Sequence, residues 1–195
     1  MTLQSPHPPP PEEGCAPLTG AVDLSRFNLA PAREAEEWLM GCLGSERWAR
    51  LVAGHRPYPS TEVLWAAGRE ASEDLGPAEL KRALARESAD RLLPGSAGAA
   101  HLVGGPGAWT LDAPGGPSTL AAHTALRAAH AAYERRFGHG FVICLDGFGP
   151  SERLDQVLAG IRERLALDAE SEWLVTEEEL RRIALGRLRA LVTEG

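Results

Sequence analysis

The sequence predicts an all-α protein: a single-domain bundle of about seven or eight helices. Three observations predict it. Apolar residues recur at three- and four-residue spacings along most of the chain, which lines up one face of a helix. Cap and breaker residues punctuate those stretches about one helix length apart. Residues 141–145, Phe-Val-Ile-Cys-Leu, form a short apolar run of strand length. A single segment of that kind cannot make a sheet.

The elements follow in order. Residues 1–22 read as a disordered tail, because Pro8, Pro9, Pro10 and Pro11 favour extended conformations and the neighbouring side chains have little to bury. The helical domain is then expected over residues 23–193. Pro31 suits a first helical turn, and Ala35, Trp38, Leu39 and Cys42 make one apolar face. Ser45 caps a second helix lined by Trp48, Leu51 and Val52. Arg56-Pro57-Tyr58-Pro59 breaks the chain, and Ser60 or Thr61 starts a third helix through Val63, Leu64 and Trp65. Gly76-Pro77 separates a fourth helix, with Leu80, Ala83 and Leu84 inward. Residues 94–117 hold eleven glycines and prolines and read as a long loop, a feature usually tied to function or disorder.

Ser118 is placed to cap an alanine-rich helix that runs to Arg136 and ends at Gly138 and Gly140. Residues 141–145 read as a buried extended stretch between helices. Ser151 is placed to cap a helix through Leu154, Val157, Leu158 and Ile161. The last helix is expected from about Thr176 to Val192, because Thr176 and Glu179 match a capping box and Leu180, Ile183, Leu188 and Leu191 make a stripe.

Composition narrows the function classes. The 195 residues are 44% hydrophobic and 24% charged, ordinary for one globular domain with a proper core. The net charge of −7 comes without a basic patch, which argues against nucleic acid. No long apolar run suits a membrane, and the N-terminus does not read as a signal peptide. Cys15, Cys42 and Cys144 are odd in number and lack metal-ligand spacing, which points to reduced thiols in a cytoplasm. His123, His130 and His139 are spaced too widely for a helical ligand pair, so no metal is expected. His130 reads as a packing or surface residue and the tryptophans as core anchors. Two charged clusters, Arg162/Glu163/Arg164 and residues 177–179, read as solvated faces.

Five segments carry a resemblance. They are Leu24-Ser25-Arg26-Phe27-Asn28 with Pro31 and the Cys42, Ser45, Trp48 series; Arg56-Pro57-Tyr58; and Leu75-Gly76-Pro77-Ala78 leading to Ala83-Leu84-Ala85. The fourth and most specific runs from Tyr133-Glu134-Arg135-Arg136-Phe137-Gly138-His139-Gly140 through Cys144. The fifth joins Ile161-Arg162-Glu163-Arg164-Leu165, Glu172, Ile183 and Arg187-Leu188. In order and spacing these resemble the OHCU decarboxylase family, enzymes that act on 2-oxo-4-hydroxy-4-carboxy-5-ureidoimidazoline in urate degradation to S-allantoin. The resemblance implies an all-α fold, chemistry without a cofactor, a ureide-type small-molecule substrate and, by analogy with relatives, a homodimer.

The resemblance also implies a site. In the family a histidine in a His-Pro pair serves as acid or base during loss of CO2, as suits a group that titrates near neutral pH. Here that pair falls on Glu87 and Ser88. A glutamate has an ordinary pKa of about 4.3, so it supplies a proton at pH 7 only if burial raises it strongly. The family's Ser-x-x-Glu-Gln motif falls on Thr110, Ala113 and Pro114, so only the hydroxyl is kept. His101, in the long loop, is the alternative imidazole; otherwise it is a solvated loop residue. The backbone of Phe141, Val142, Ile143, Cys144 and Leu145 implies hydrogen bonds to substrate, and Arg187 matches a family arginine. Three functions fit these residues: a decarboxylase with a rearranged site, a catalytically inactive homologue that binds a partner or small molecule, and an enzyme with a new substrate on the same scaffold.

Overall fold

The computed structural model describes residues 21–90, 120–149 and 151–194, the side chains of residues 88–90 and 120–123 excepted. Along the chain run β1 (Val22–Asp23), α1 (Leu24–Leu29), α2 (Ala32–Leu43), α3 (Glu46–Gly54), α4 (Thr61–Glu73), α5 (Pro77–Asp90), α6 (Leu120–Phe137), α7 (Arg153–Arg164), α8 (Ala169–Leu191) and β2 (Val192–Thr193). The described residues thus hold eight helices, in agreement with the all-α reading. The tail through residue 20 and the whole break between α5 and α6, residues 91–119 with Ser118 among them, lie outside the described residues.

Local chemistry explains most boundaries. Ser45 accepts from the Trp48 N–H at 3.3 Å and Ser60 from the Val63 N–H at 3.4 Å, each satisfying an orphan donor of a first turn. α2 ends at Gly44, whose φ of 70° is left-handed and whose N–H donates to the Met40 carbonyl. Gly138 does the same for α6, with φ 75° and its N–H on the Glu134 carbonyl at 2.8 Å.

Three expectations need correction. Val22 is no part of a tail: it is 2% exposed and pairs in parallel with Val192, so the two ends of the described chain close on each other. α8 begins at Ala169, not near Thr176. Asp168 accepts from the Glu170 and Ser171 N–H groups and nucleates the helix one and a half turns or more earlier, after which extension needs no second start. Ser151 does not cap α7, whose N-cap is Glu152 with no side-chain bond to the first turn.

α8 is the spine. It packs on α2, α4 and α5 in a core that includes Phe27, Leu39, Trp48, Leu64, Leu80, Ile183 and Leu188. A second core holds Leu126, Tyr133, Val157 and Ile161 between α6 and α7. Residues 141–145 separate the two. Phe141, Ile143 and Leu145 pack into the second core, whereas Val142 and Cys144 pack into the first. That period of two is what extended backbone imposes, since successive side chains point to opposite sides. The buried extended stretch read from the sequence is therefore a wall shared by both cores.

Candidate functional site

Glu87 and Arg187 meet. Glu87 lies in the last turn of α5, and Arg187 lies late in α8. The guanidinium bonds the carboxylate with both arms: Nη1 donates to Oε1 at 2.6 Å and Nη2 to Oε2 at 3.1 Å. The side chains are 13% and 26% exposed, so this pair is more sheltered than an ordinary surface bridge. Arg187 Nη1 also donates to the Cys42 carbonyl at 3.1 Å. That carbonyl belongs to the last turn of α2, where helix geometry leaves acceptors unpaired and the dipole favours a cation. Arg187 therefore has two independent anchors, one carboxylate and one helix end.

The wall segment meets both α8 and α7. The Cys144 N–H donates to Glu179 Oε2 at 2.6 Å, and the Val142 carbonyl accepts from Arg164 Nη1 at 2.6 Å. The chain then carries Asp146 onto α8 at Gly186, where an added Cβ would collide with the Asp146 carboxylate. Gly186 is thus the gap that admits the Asp146 carboxylate to the surface of α8. Among the expected substrate-binding residues, Phe141, Val142 and Leu145 are each 1% exposed, and their side chains are core. Two of the polar backbone groups of the segment are already bonded within the protein.

The surroundings of both described thiols disfavour the thiolate. Burial pushes Cys42 up to about 12, against the opposing pull of Arg187. Burial also raises Cys144, and the neighbouring Asp146 and Glu179 carboxylates add to the rise. A thiolate is required for attack, so both behave as packing groups.

A second polar constellation was not legible as such in the sequence. Glu172, 0% exposed, accepts from Tyr133, Arg164, Thr176 and His139. Arg164, read from the sequence as part of a solvated face, is 5% exposed; it reaches Glu172, Thr176 and the Val142 carbonyl and lies 4.6 Å over the Phe141 ring. Burial opposes the charge on Glu172, but the hydrogen bonds from its neighbours prevail and hold it at about 2. His139 places Nε2 3.0 Å from Glu172 Oε2 and Nδ1 3.2 Å from the Gly140 carbonyl. Both ring nitrogens face acceptors, which only the imidazolium satisfies as a donor on each side. Burial lowers the His139 pKa, yet these contacts outweigh it and the net shift is upward. Glu177, at 9% exposed, is likewise no solvated residue: Trp173 Nε1 donates to it at 2.7 Å. The available signal was positional. Glu172, Thr176 and Glu179 recur at four and three residues on the helix that carries the apolar stripe, where polar side chains must find partners.

The structure thus brings together Glu87 and Arg187, and separately sets Cys144 on Glu179 and Asp146 against Gly186 of α8. It places residues 141–145 as a wall. Ser88 has no described side chain, and His101, Thr110, Ala113 and Pro114 lie outside the described residues. Among the described residues no helix is long and apolar enough to cross a membrane.

Comparison with known proteins bears on this arrangement. A model of the OHCU decarboxylase family matches residues 112–189, a span that holds the wall segment, Glu172 and Arg187 but not Glu87. The resemblance read from the sequence therefore holds over that span. Among solved structures the chain is similar to a crystal structure of (S)-allantoin synthase, with a TM-score of 0.60 and 17% identity, over 88% of this chain. It spans 54% of the length of that structure, and the likeness is one of fold. The comparison with curated proteins found no match.

Proposed function

We propose that this chain is an OHCU-decarboxylase-like protein of purine (urate) degradation that has kept the scaffold and lost the proton-transfer site, and so acts as a catalytically inactive homologue. One observation carries the reading: at the position where the resemblance puts the catalytic histidine, Glu87 offers both oxygens to Arg187. Decarboxylation leaves a carbanion that must receive a proton. A carboxylate with both oxygens accepting from one guanidinium is oriented toward that partner and not toward a substrate carbon. General acid–base catalysis is typically worth about 10² to 10⁴ in rate, which is the scale of the expected loss. The arginine is also no longer open to a substrate.

The test is decay of freshly generated 2-oxo-4-hydroxy-4-carboxy-5-ureidoimidazoline with and without the protein, followed by circular dichroism of the allantoin formed. The expected outcome is decay at the spontaneous rate with racemic product. Faster decay to S-allantoin would favour a second reading, a working decarboxylase, which the family match over residues 112–189 supports. In that reading Glu87 leaves Arg187 during turnover, and His101 becomes the residue to substitute as the alternative imidazole.

A further inference from the structure

We infer that Glu87 is a built-in competitor: its carboxylate occupies a small-carboxylate site whose receptor is Arg187, and displacing or deleting it opens that site. The inference deepens the proposed function, since it names what the closed site would bind, and it rests on that reading.

The geometry carries the argument. A planar guanidinium with two parallel N–H groups on one carboxylate is the arrangement by which arginine recognises carboxylates in general. Here the carboxylate is supplied by the chain itself, at 2.6 and 3.1 Å. The receptor does not depend on it for position. Nη1 is also held by the Cys42 carbonyl at 3.1 Å at the end of α2, and that bond survives any change at residue 87. Loss of the Glu87 carboxylate therefore leaves an oriented guanidinium with Nη2 vacant, rather than a floppy side chain. Glu87, by contrast, has both carboxylate oxygens on Arg187. Asp146, whose carboxylate lies against Gly186, adds a further negative charge beside α8. Its charge favours a monoanion over a dianion as the occupant.

A tethered carboxylate competes at an effective concentration on the order of millimolar or above. A free carboxylate is accordingly expected to bind the native protein at least roughly 10-fold more weakly than a protein in which residue 87 offers none.

Chemical rescue tests this. Replacing Glu87 by alanine deletes a CH2–COO⁻ unit, and acetate is that unit as a free molecule. The melting temperature of Glu87→Ala is expected to rise with sodium acetate beyond its response to sodium chloride at equal ionic strength, because a ligand that binds only the folded state stabilises it. The native protein and the Glu87→Ala/Arg187→Gln double variant are expected to respond equally to both salts. If Glu87→Ala is unfolded in chloride, recovery of its helical circular dichroism in acetate supports the inference. An acetate response of Glu87→Ala no larger than that of the native protein, or no recovery, overturns it and leaves an ordinary interhelical ion pair. This result is independent of the decarboxylation assay: an inactive native protein whose alanine variant ignores acetate refutes the competitor alone.

Discussion

At the scale of single residues, two carboxylates define the molecule differently. Glu87 is engaged by one partner, Arg187, whereas Glu172 is buried and accepts from four side chains. A buried charge is tolerated only when paired and hydrogen-bonded, and removing one partner commonly costs about 3–5 kcal/mol. His139 is the titratable member of the Glu172 cluster, and its folded-state pKa is raised. Its contribution to stability is therefore fully present below its unfolded value of 6.5 and is lost as pH rises through the higher folded value. The Glu172 contribution has the opposite sign: it is present above 4.5 and lost only as pH falls toward about 2. Melting temperatures of the native protein and His139→Gln, measured from pH 5.5 to 9, are expected to differ most at the acid end and to converge at the alkaline end. A charge-assisted hydrogen bond suggests a gap of roughly 1.5–3 kcal/mol where it is largest. A gap that widens with rising pH would contradict the imidazolium assignment.

At the scale of elements, close approach to α8 decides the packing. Gly68 of α4 lies against it: a Cβ there would sit 2.6 Å from Leu188 Cδ2, and the Gly68 carbonyl accepts from Trp48 Nε1 at 2.8 Å. Gly68→Ala is thus expected to displace the buried Leu188 side chain, or α4 itself, and to cost about 1–3 kcal/mol, the usual range for overpacking a filled core. Urea denaturation checks it; a midpoint equal to or above the native one would mean that α4 and α8 can part without loss. In isolation, alanine favours a helix over glycine by about 1 kcal/mol, so the sign of the result separates propensity from packing. The same logic explains the misplaced start of α8. Thr176 and Glu179 match a capping box by spacing, but the buried hydroxyl of Thr176 serves Glu172 at 2.6 Å, and the cap belongs to Asp168.

At the scale of the whole molecule, the wall of residues 141–145 ties two cores into one. Phe141 and Val142, adjacent in sequence, are each 1% exposed in different cores, so neither core can loosen without exposing the shared segment. Unfolding is accordingly expected to be a single transition. Tryptophan fluorescence weights the first core, where Trp38 and Trp48 are buried and Trp65 and Trp173 pack against it, whereas far-ultraviolet circular dichroism weights all helices. The two midpoints in urea are expected to coincide; separate midpoints would show that α6 and α7 unfold on their own. The sequence by itself determined the helical class, the cap at Ser45, the stop near Gly138 and the extended character of residues 141–145. All of these rest on local geometry: helical or extended periodicity, a hydroxyl beside its own first turn, a left-handed glycine. Only the tertiary structure decided that Glu87 grips Arg187 from 100 residues away, that Arg164 and Glu172 are buried together and that Val22 closes on Val192. A charged side chain looks the same in sequence whether it faces water or a partner across the fold. Its role is set by desolvation and pairing, which exist only once the helices have packed.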